Sequence, residues 1–406
     1  MKCQEYKGTL DTPGTLGTLG TLGTFNLFDN LTSYTMEVKL KNSLIQDWRG
    51  HKGRPFLISG PCSAETEEQV METAKQLAKI KQVSVFRAGI WKPRTRPNSF
   101  EGVGIEGLKW LRRVKQETGL MVGTEVANEK HVYEALKYGI DMLWIGARTS
   151  VNPFTVQEIS DALSGVDVMV LIKNPINPDL ELWIGAIERI ARAGITRIGA
   201  IHRGFSSYEK TLYRNQPNWQ LPIELRRRIP DLPIICDPSH IGGARQFLHE
   251  ISQKAMDLNF DGLMLESHID PSKALSDAAQ QLTPNDLKEL LSRLILRNPS
   301  TSDPKLLDVL GELRQQIDVY DDHLLDLMEK RMKVAETIGH YKKENNITIL
   351  QTTRWEEIIN KVIAKGLAKG LSPELIDTIF KAIHQESINH QMKVMNTDVK
   401  SQNGNK

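Results

Sequence analysis

The chain has 406 residues, 40% hydrophobic and 25% charged, with a formal net charge of +2. That composition builds full hydrophobic cores and exceeds one ordinary domain, while the near-neutral balance excludes general nucleic-acid or membrane-surface binding. Three distant cysteines (Cys3, Cys62 and Cys236) exclude a disulfide framework, no apolar run reaches the roughly 18 residues of a membrane span, and no signal peptide is legible, so the expected location is cytoplasmic.

Residues 1–35 contain a TLG triplet repeated from Thr15 to Gly23 and no helical or strand period. They are expected to be a low-complexity, disordered tail. Between residues 36 and 297 come eight short apolar runs, each stopping on a residue that can do chemistry: FLISGPC at Cys62, VSVFR at Arg87, LMVGTE at Glu125, MLWIGAR at Arg148, VMVLIK at Lys173, RIGAIHR at Arg203, LPIICDPSH at His240 and GLMLE at Glu266. Endpoints lie about 23 to 38 residues apart, room for one helix and two loops per step. The expected fold class is therefore α/β, a (β/α)8 barrel whose reactive groups gather at the C-terminal mouth of the strands. Residues 298–304 (NPSTSDP) read as a linker. The chain then turns all-helical over 305–395, with patterns from Lys305 to Asn345, Thr353 to Leu367 and Pro373 to Val394. Gly370 closes the second helix, Ser372-Pro373 opens the third, and residues 396–406 form a polar, disordered tail.

Two constellations stand out at the expected mouth. Cys62 in GPCS, His240 in DPSH, Glu266 in ESH and Asp277 in KALSDAAQQ form a mixed set of one sulfur, one imidazole and two carboxylates. Such a set suits Mn²⁺, Fe²⁺, Co²⁺ or Zn²⁺ and does not suit Ca²⁺. Taken singly, each residue reads equally well as core or surface; their shared placement favours ligation. The second constellation is cationic: the KPRT segment with Lys92 and Arg94, then Arg87, Arg148, Lys173 and Arg203. Six cations facing one another require anions between them, and arginine forks match phosphate and carboxylate oxygens.

The ordered segments GPCSAE, KPRTRPNSFEG, GARTS, LIKNP, HRGFSSYEK, DPSHIGG, LESH and KALSDAAQQL resemble the 3-deoxy-D-arabino-heptulosonate 7-phosphate (DAHP) synthases, type I-beta branch. The resemblance implies condensation of phosphoenolpyruvate with erythrose 4-phosphate, which opens the shikimate pathway, assisted by one divalent ion. It implies Cys62, His240, Glu266 and Asp277 as metal ligands, and Arg87, Lys92, Arg148, Lys173 and Arg203 as phosphoenolpyruvate contacts. Lys92 would reach both substrates, Arg94 and Thr95 would cradle the sugar phosphate, and His202 and Asp237 would support the site or handle protons. The neighbouring 3-deoxy-octulosonate-8-phosphate synthases share barrel and chemistry but carry a KTSFDKAN-like segment where this chain has KPRT.

In the first helix of the appendage, Leu306, Leu310, Leu313, Ile317, Leu324, Leu327 and Ile338 step by three and four as a core stripe does. Arg331 and Lys342 fall within about 20° of one face, and Arg314 points about 100° away from Arg331. Cations in core phase need an anion or a partner. LRQQIDVYDDHLLDLMEKRMKVAETIGHYK, with Ser387 and Gln391 spaced S-x-x-x-Q, resembles the AroQ-type chorismate mutases. That resemblance implies rearrangement of chorismate to prephenate at a site of Arg314, Arg331, Lys342, Arg354, Ser387 and Gln391, with Lys342 and Gln391 on the ether oxygen. It also implies a homodimer in which Arg314 reaches the partner's site. Gln351 and Trp355 stand where the family carries acids, and Glu356 or Glu357 is a candidate replacement. The open alternative is a monofunctional synthase whose helices only dimerise and regulate. The fusion leads us to expect inhibition of the synthase by prephenate through the appended domain. The expected partners are these small molecules and further copies of the chain.

Overall fold

The structure is a computed structural model describing residue 48 and residues 52–92, 100–208, 211–350 and 352–396. The expected 1–35 tail, Arg94, Thr95, Gln351 and residues 397–406 lie outside the described residues.

Each apolar run forms one strand: β1 (Phe56–Gly60), β2 (Val83–Arg87), β3 (Met121–Val126), β4 (Met142–Ile145), β5 (Met169–Lys173), β6 (Ile198–His202), β7 (Ile234–Cys236) and β8 (Gly262–Glu266). All pairings are parallel, and β8 returns to β1 with Phe56 opposite Gly262 and Gly60 opposite Glu266, closing the barrel. The expected (β/α)8 architecture is thereby borne out. Between strands run α1 (Glu67–Leu77), α2 (Ile105–Thr118), α3 (Glu129–Lys137), α4 (Pro153–Ala162), α5 (Leu180–Arg192), α6 (Gln220–Arg228), the short α7 (Pro238–Gly242) with α8 (Leu248–Asp257), and, after β8, α9 (Pro284–Arg293). Their starts are chemically marked. Thr66, Asn128 and Asp179 accept the third-residue amide of their helices, and Thr283 with Asp286 forms a reciprocal capping box.

Strand alternation sorts side chains into two layers. Phe56, Ile58, Val85, Trp144, Leu171 and Met264 point inward and fill the barrel, with Trp48 packed edge-on against Phe56. The intervening residues, such as Leu57, Phe86, Ile172 and Ala200, pack outward against the helices. Continued to the strand ends, the inward register carries Arg87, Lys173 and Glu266. Gly60 is required where β1 leaves the sheet: its φ is +151°, and a Cβ there would lie 2.1 Å from the Arg87 carbonyl.

A second compact unit begins at Asn298. It consists of α10 (Pro304–Glu344), α11 (Thr352–Leu367) and α12 (Pro373–Asn396). Helix α12 packs on the C-terminal part of α10, where Ala335, Gly339, Ser387, Gln391 and Val394 are buried. The N-terminal part of α10 leaves Leu313, Ile317, Leu324 and Leu327 each at least half exposed. No helix among the described residues is long and apolar enough to cross a membrane.

Candidate active sites of the barrel and the helical unit

At the barrel mouth the residues form a chain of alternating charge. Lys173 donates to Asp237 Oδ2 at 2.9 Å, and the same oxygen faces His240 Nδ1 at 2.8 Å. Asp237 Oδ1 also accepts the His240 amide and so caps α7. With Nδ1 turned to Asp237, His240 directs Nε2 toward Glu266 Oε1, 3.9 Å away. Glu266 is fully buried, taking Arg87 at 2.8 Å on one oxygen and Gln280 at 2.7 Å on the other. Arg87 lies over the Trp144 ring at 4.7 Å, and Trp144 donates to Glu125. Arg214 joins Gln280 to Asp277, each at 2.9 Å. The Cys62 thiol reaches Asp277 Oδ2 at 3.3 Å, and Lys92 Nζ donates to the Cys62 sulfur at 3.1 Å and carbonyl at 2.9 Å.

The electrostatics follow from burial opposed by these partners. Burial pushes the Asp237 carboxyl up, but His240 and Lys173 outweigh it and hold it well below the usual range. Burial likewise opposes the ionised forms of Glu266 and Asp277, yet the first is held low by His240 and Arg87 and the second by Arg214 and His240. Burial, then Glu266, raises the Cys62 thiol to about 11 despite Lys92.

The donor set fits a borderline divalent ion in kind, and a carboxylate behind a ligating imidazole is a common support for one. In the described geometry the donors meet in pairs, Cys62 with Asp277 and His240 with Glu266. Among the described residues no group of three or more His, Cys, Asp or Glu side chains closes tightly enough to hold an ion.

The cations are partly gathered. Arg87 and Lys173 are buried, Arg203 is held by Asn215 at 2.8 Å, and Arg148 sits exposed in the turn after β4. Burial lowers the Arg203 guanidinium to about 10. His202 packs in the outer layer of the barrel. It takes the outward register of β6, among the rings of Trp183, Phe205, Trp219 and Phe260. Burial and then Arg203 lower its imidazole to about 3. Reading by strand endpoints missed Arg214, which lies in the long loop after β6, and Asn174, whose Oδ1 accepts the Arg203 amide at 2.7 Å.

In the helical unit, Arg331, Lys342, Arg354, Ser387 and Gln391 line one cavity of about 460 Å³. Arg331 donates to Ser387 Oγ, which donates to the Ile383 carbonyl at 2.7 Å. Lys342 donates to the Ile349 carbonyl at 2.6 Å, and Gln391 Oε1 is buried with no partner among the described residues. Arg314 is not among the lining residues; it lies about 25 Å along α10 from Arg331. Trp355 lines the cavity, stacked on His384 with centroids 4.0 Å apart. Glu356 and Glu357 are exposed and do not line it, and Glu357 instead accepts from Arg354 at 2.9 Å.

Fold and mouth together define a (β/α)8 protein whose strand ends pair cations with carboxylates. Residues 35–297 match the DAHP synthetase I family, and residues 313–392 match chorismate mutase type II. The chain belongs to the DAHP synthetase I family and carries a chorismate mutase domain behind the barrel, so it is an enzyme with both domains. The phospho-2-dehydro-3-deoxyheptonate aldolase of Thermotoga maritima is 36% identical over 255 residues, covering 63% of this chain and 70% of that protein. A crystal structure of that aldolase aligns with a TM-score of 0.53 at 34% identity, over 63% of this chain and 69% of that one. The 2-dehydro-3-deoxyphosphooctonate aldolase of Syntrophotalea carbinolica is 29% identical over 258 residues, covering 59% of this chain and 89% of that protein.

Proposed function

We propose that the barrel joins phosphoenolpyruvate to erythrose 4-phosphate, giving DAHP and phosphate, and depends on one Mn²⁺, Fe²⁺, Co²⁺ or Zn²⁺ ion held by Cys62, His240, Glu266 and Asp277. Bound there, the ion would supply Lewis-acid polarisation of the sugar's aldehyde. Arg87, Lys92, Arg148, Lys173 and Arg203 grip the phosphate and carboxylate of phosphoenolpyruvate and hold its enol carbon toward that aldehyde. Arg94 and Thr95 hold the sugar phosphate. Such positioning turns a bimolecular encounter into an effectively unimolecular step. Asp237 orients His240 and anchors Lys173. The observation that carries the reading is the charge network from Lys173 through Asp237, His240 and Glu266, then by way of Gln280 and Arg214, to Asp277, Cys62 and Lys92.

In the helical unit Arg331 and Arg354, with Arg314 of a second copy, would hold the two carboxylates of chorismate. Lys342 and Gln391 then donate to the ether oxygen as its bond breaks, which stabilises developing charge without a nucleophile. The chain works as a cytoplasmic homodimer, and prephenate inhibits the synthase through the helical unit.

Cys62→Ala tests the ligand assignment. The variant is expected to lose metal-dependent turnover and to bind Mn²⁺ at least tenfold more weakly, as losing one ligand or its support does in such sites. Wild-type turnover of Cys62→Ala with added Mn²⁺ refutes it.

A further inference from the structure

We propose that His384 is a substrate-contact residue of the helical site, where its imidazole, stacked on Trp355, hydrogen-bonds the ring hydroxyl of chorismate. The inference rests on the mutase reading above and names a contact that reading leaves without a donor or acceptor. Among the described residues the cavity is lined by three cations, Arg331, Lys342 and Arg354, and by no carboxylate. The two carboxylates of chorismate use these cations, and the ether oxygen uses Lys342 and the Gln391 amide. The hydroxyl still needs a partner, because a buried polar group left unpaired costs binding.

Few groups remain. Ser387 Oγ is already committed, accepting from Arg331 and donating to the Ile383 carbonyl. Arg354 is tied to Glu357, which is exposed and outside the lining. His384 lines the same cavity and lies one helical turn from Ser387 on α12. Its ring is covered on one face by Trp355, with centroids 4.0 Å apart and planes 16° from parallel. Stacking fixes the plane of an imidazole and leaves its nitrogens free at the edge. Burial first, then Arg331 and Lys342, lower its protonation. At neutral pH the ring thus offers one donor and one acceptor, and adds no fourth positive charge. Trp355 is accordingly a positioning residue for His384.

The experiment compares chorismate with an analogue lacking the ring hydroxyl, using the full-length chain. His384→Leu is expected to lower kcat/KM for chorismate roughly tenfold, the worth of one neutral hydrogen bond, while leaving the analogue's inhibition constant unchanged. His384→Gln, which can still hydrogen-bond, should recover part of the loss. Trp355→Phe should keep the stack and the discrimination, and Trp355→Ala should lose both, with circular dichroism reporting that each variant folds. Wild-type values in His384→Leu, or equal weakening of chorismate and analogue, overturn the proposal. A wild-type chain that neither binds nor converts chorismate removes the mutase reading and this contact together, whereas wild-type turnover unaffected by His384→Leu removes the contact alone.

Discussion

His202 is fully buried among four aromatic rings, and burial with the Arg203 charge lowers its imidazole to about 3. In the unfolded chain the same group titrates near 6.5. Above about 6.5 it is neutral in both states and costs nothing. Between 6.5 and 3 the unfolded chain takes up a proton that the fold refuses, so stability falls as the pH falls. The full effect is on the order of several kcal/mol. We expect His202→Leu to flatten this acid limb in unfolding measured against pH; an unchanged limb places the loss elsewhere. Asp237 acts lower on the scale. Its depressed carboxyl contributes stability that is intact above its unfolded value near 3.8 and lost only as the pH falls further. His202 also shows why a single residue is hard to read in advance. RIGAIHR ends in two chemically able side chains, and only the period of two separates them. Arg203 continues the inward register of Ile201, and His202 that of the outward Ala200.

At the scale of elements, the packing of α10 on α12 is set by small residues. Gly339 faces Gln391: an added Cβ would sit 3.2 Å from its Cα and 3.3 Å from its Cγ. Gly339→Ala gains about 1 kcal/mol of helix propensity yet must push α12 outward by a few tenths of an ångström. Since Gln391 lies on the displaced surface, mutase turnover is expected to drop roughly tenfold, while helicity by circular dichroism stays constant or rises. Unaltered turnover would mean that Gln391 is not held by this contact. The strands themselves were legible because each is a short apolar run bounded by turn residues. The loop between β8 and α9 was not. There Asp277 takes a left-handed φ of +46° and Arg214 arrives from another loop to hold it, neither of which leaves a periodic trace.

For the whole molecule, the exposed apolar face of α10 calls for a partner. Leu313, Ile317, Leu324 and Leu327 are 50–62% exposed, and Arg314 lies among them. If a second copy covers this face, Arg314 serves the partner's cavity, and a mixing experiment reveals it. Arg314→Ala and Lys342→Ala chains should each be inactive as mutases. Unfolded and refolded together, they should regain about a quarter of wild-type activity, because half the dimers are mixed and each mixed dimer has one intact site. No recovery on mixing refutes the shared site. Removing residues after Asn298 addresses regulation. The truncated synthase is expected to lose inhibition by prephenate, and equal inhibition of both forms rules out control through the helical unit.

Sequence alone determined the order of eight strands and three terminal helices, and it placed Arg331 and Lys342 near one face of the first of these helices and Ser387 and Gln391 on the apolar stripe of the third. Those properties depend on local period and spacing, which a chain carries in its own text. Tertiary structure decided what no period encodes: that Asp237 binds both Lys173 and His240, that Arg214 and Gln280 tie Asp277 to Glu266, and that Trp355 stacks on His384. Each of these contacts joins segments brought together by barrel closure, loop return or helix packing, so its partners become neighbours only after the chain has folded.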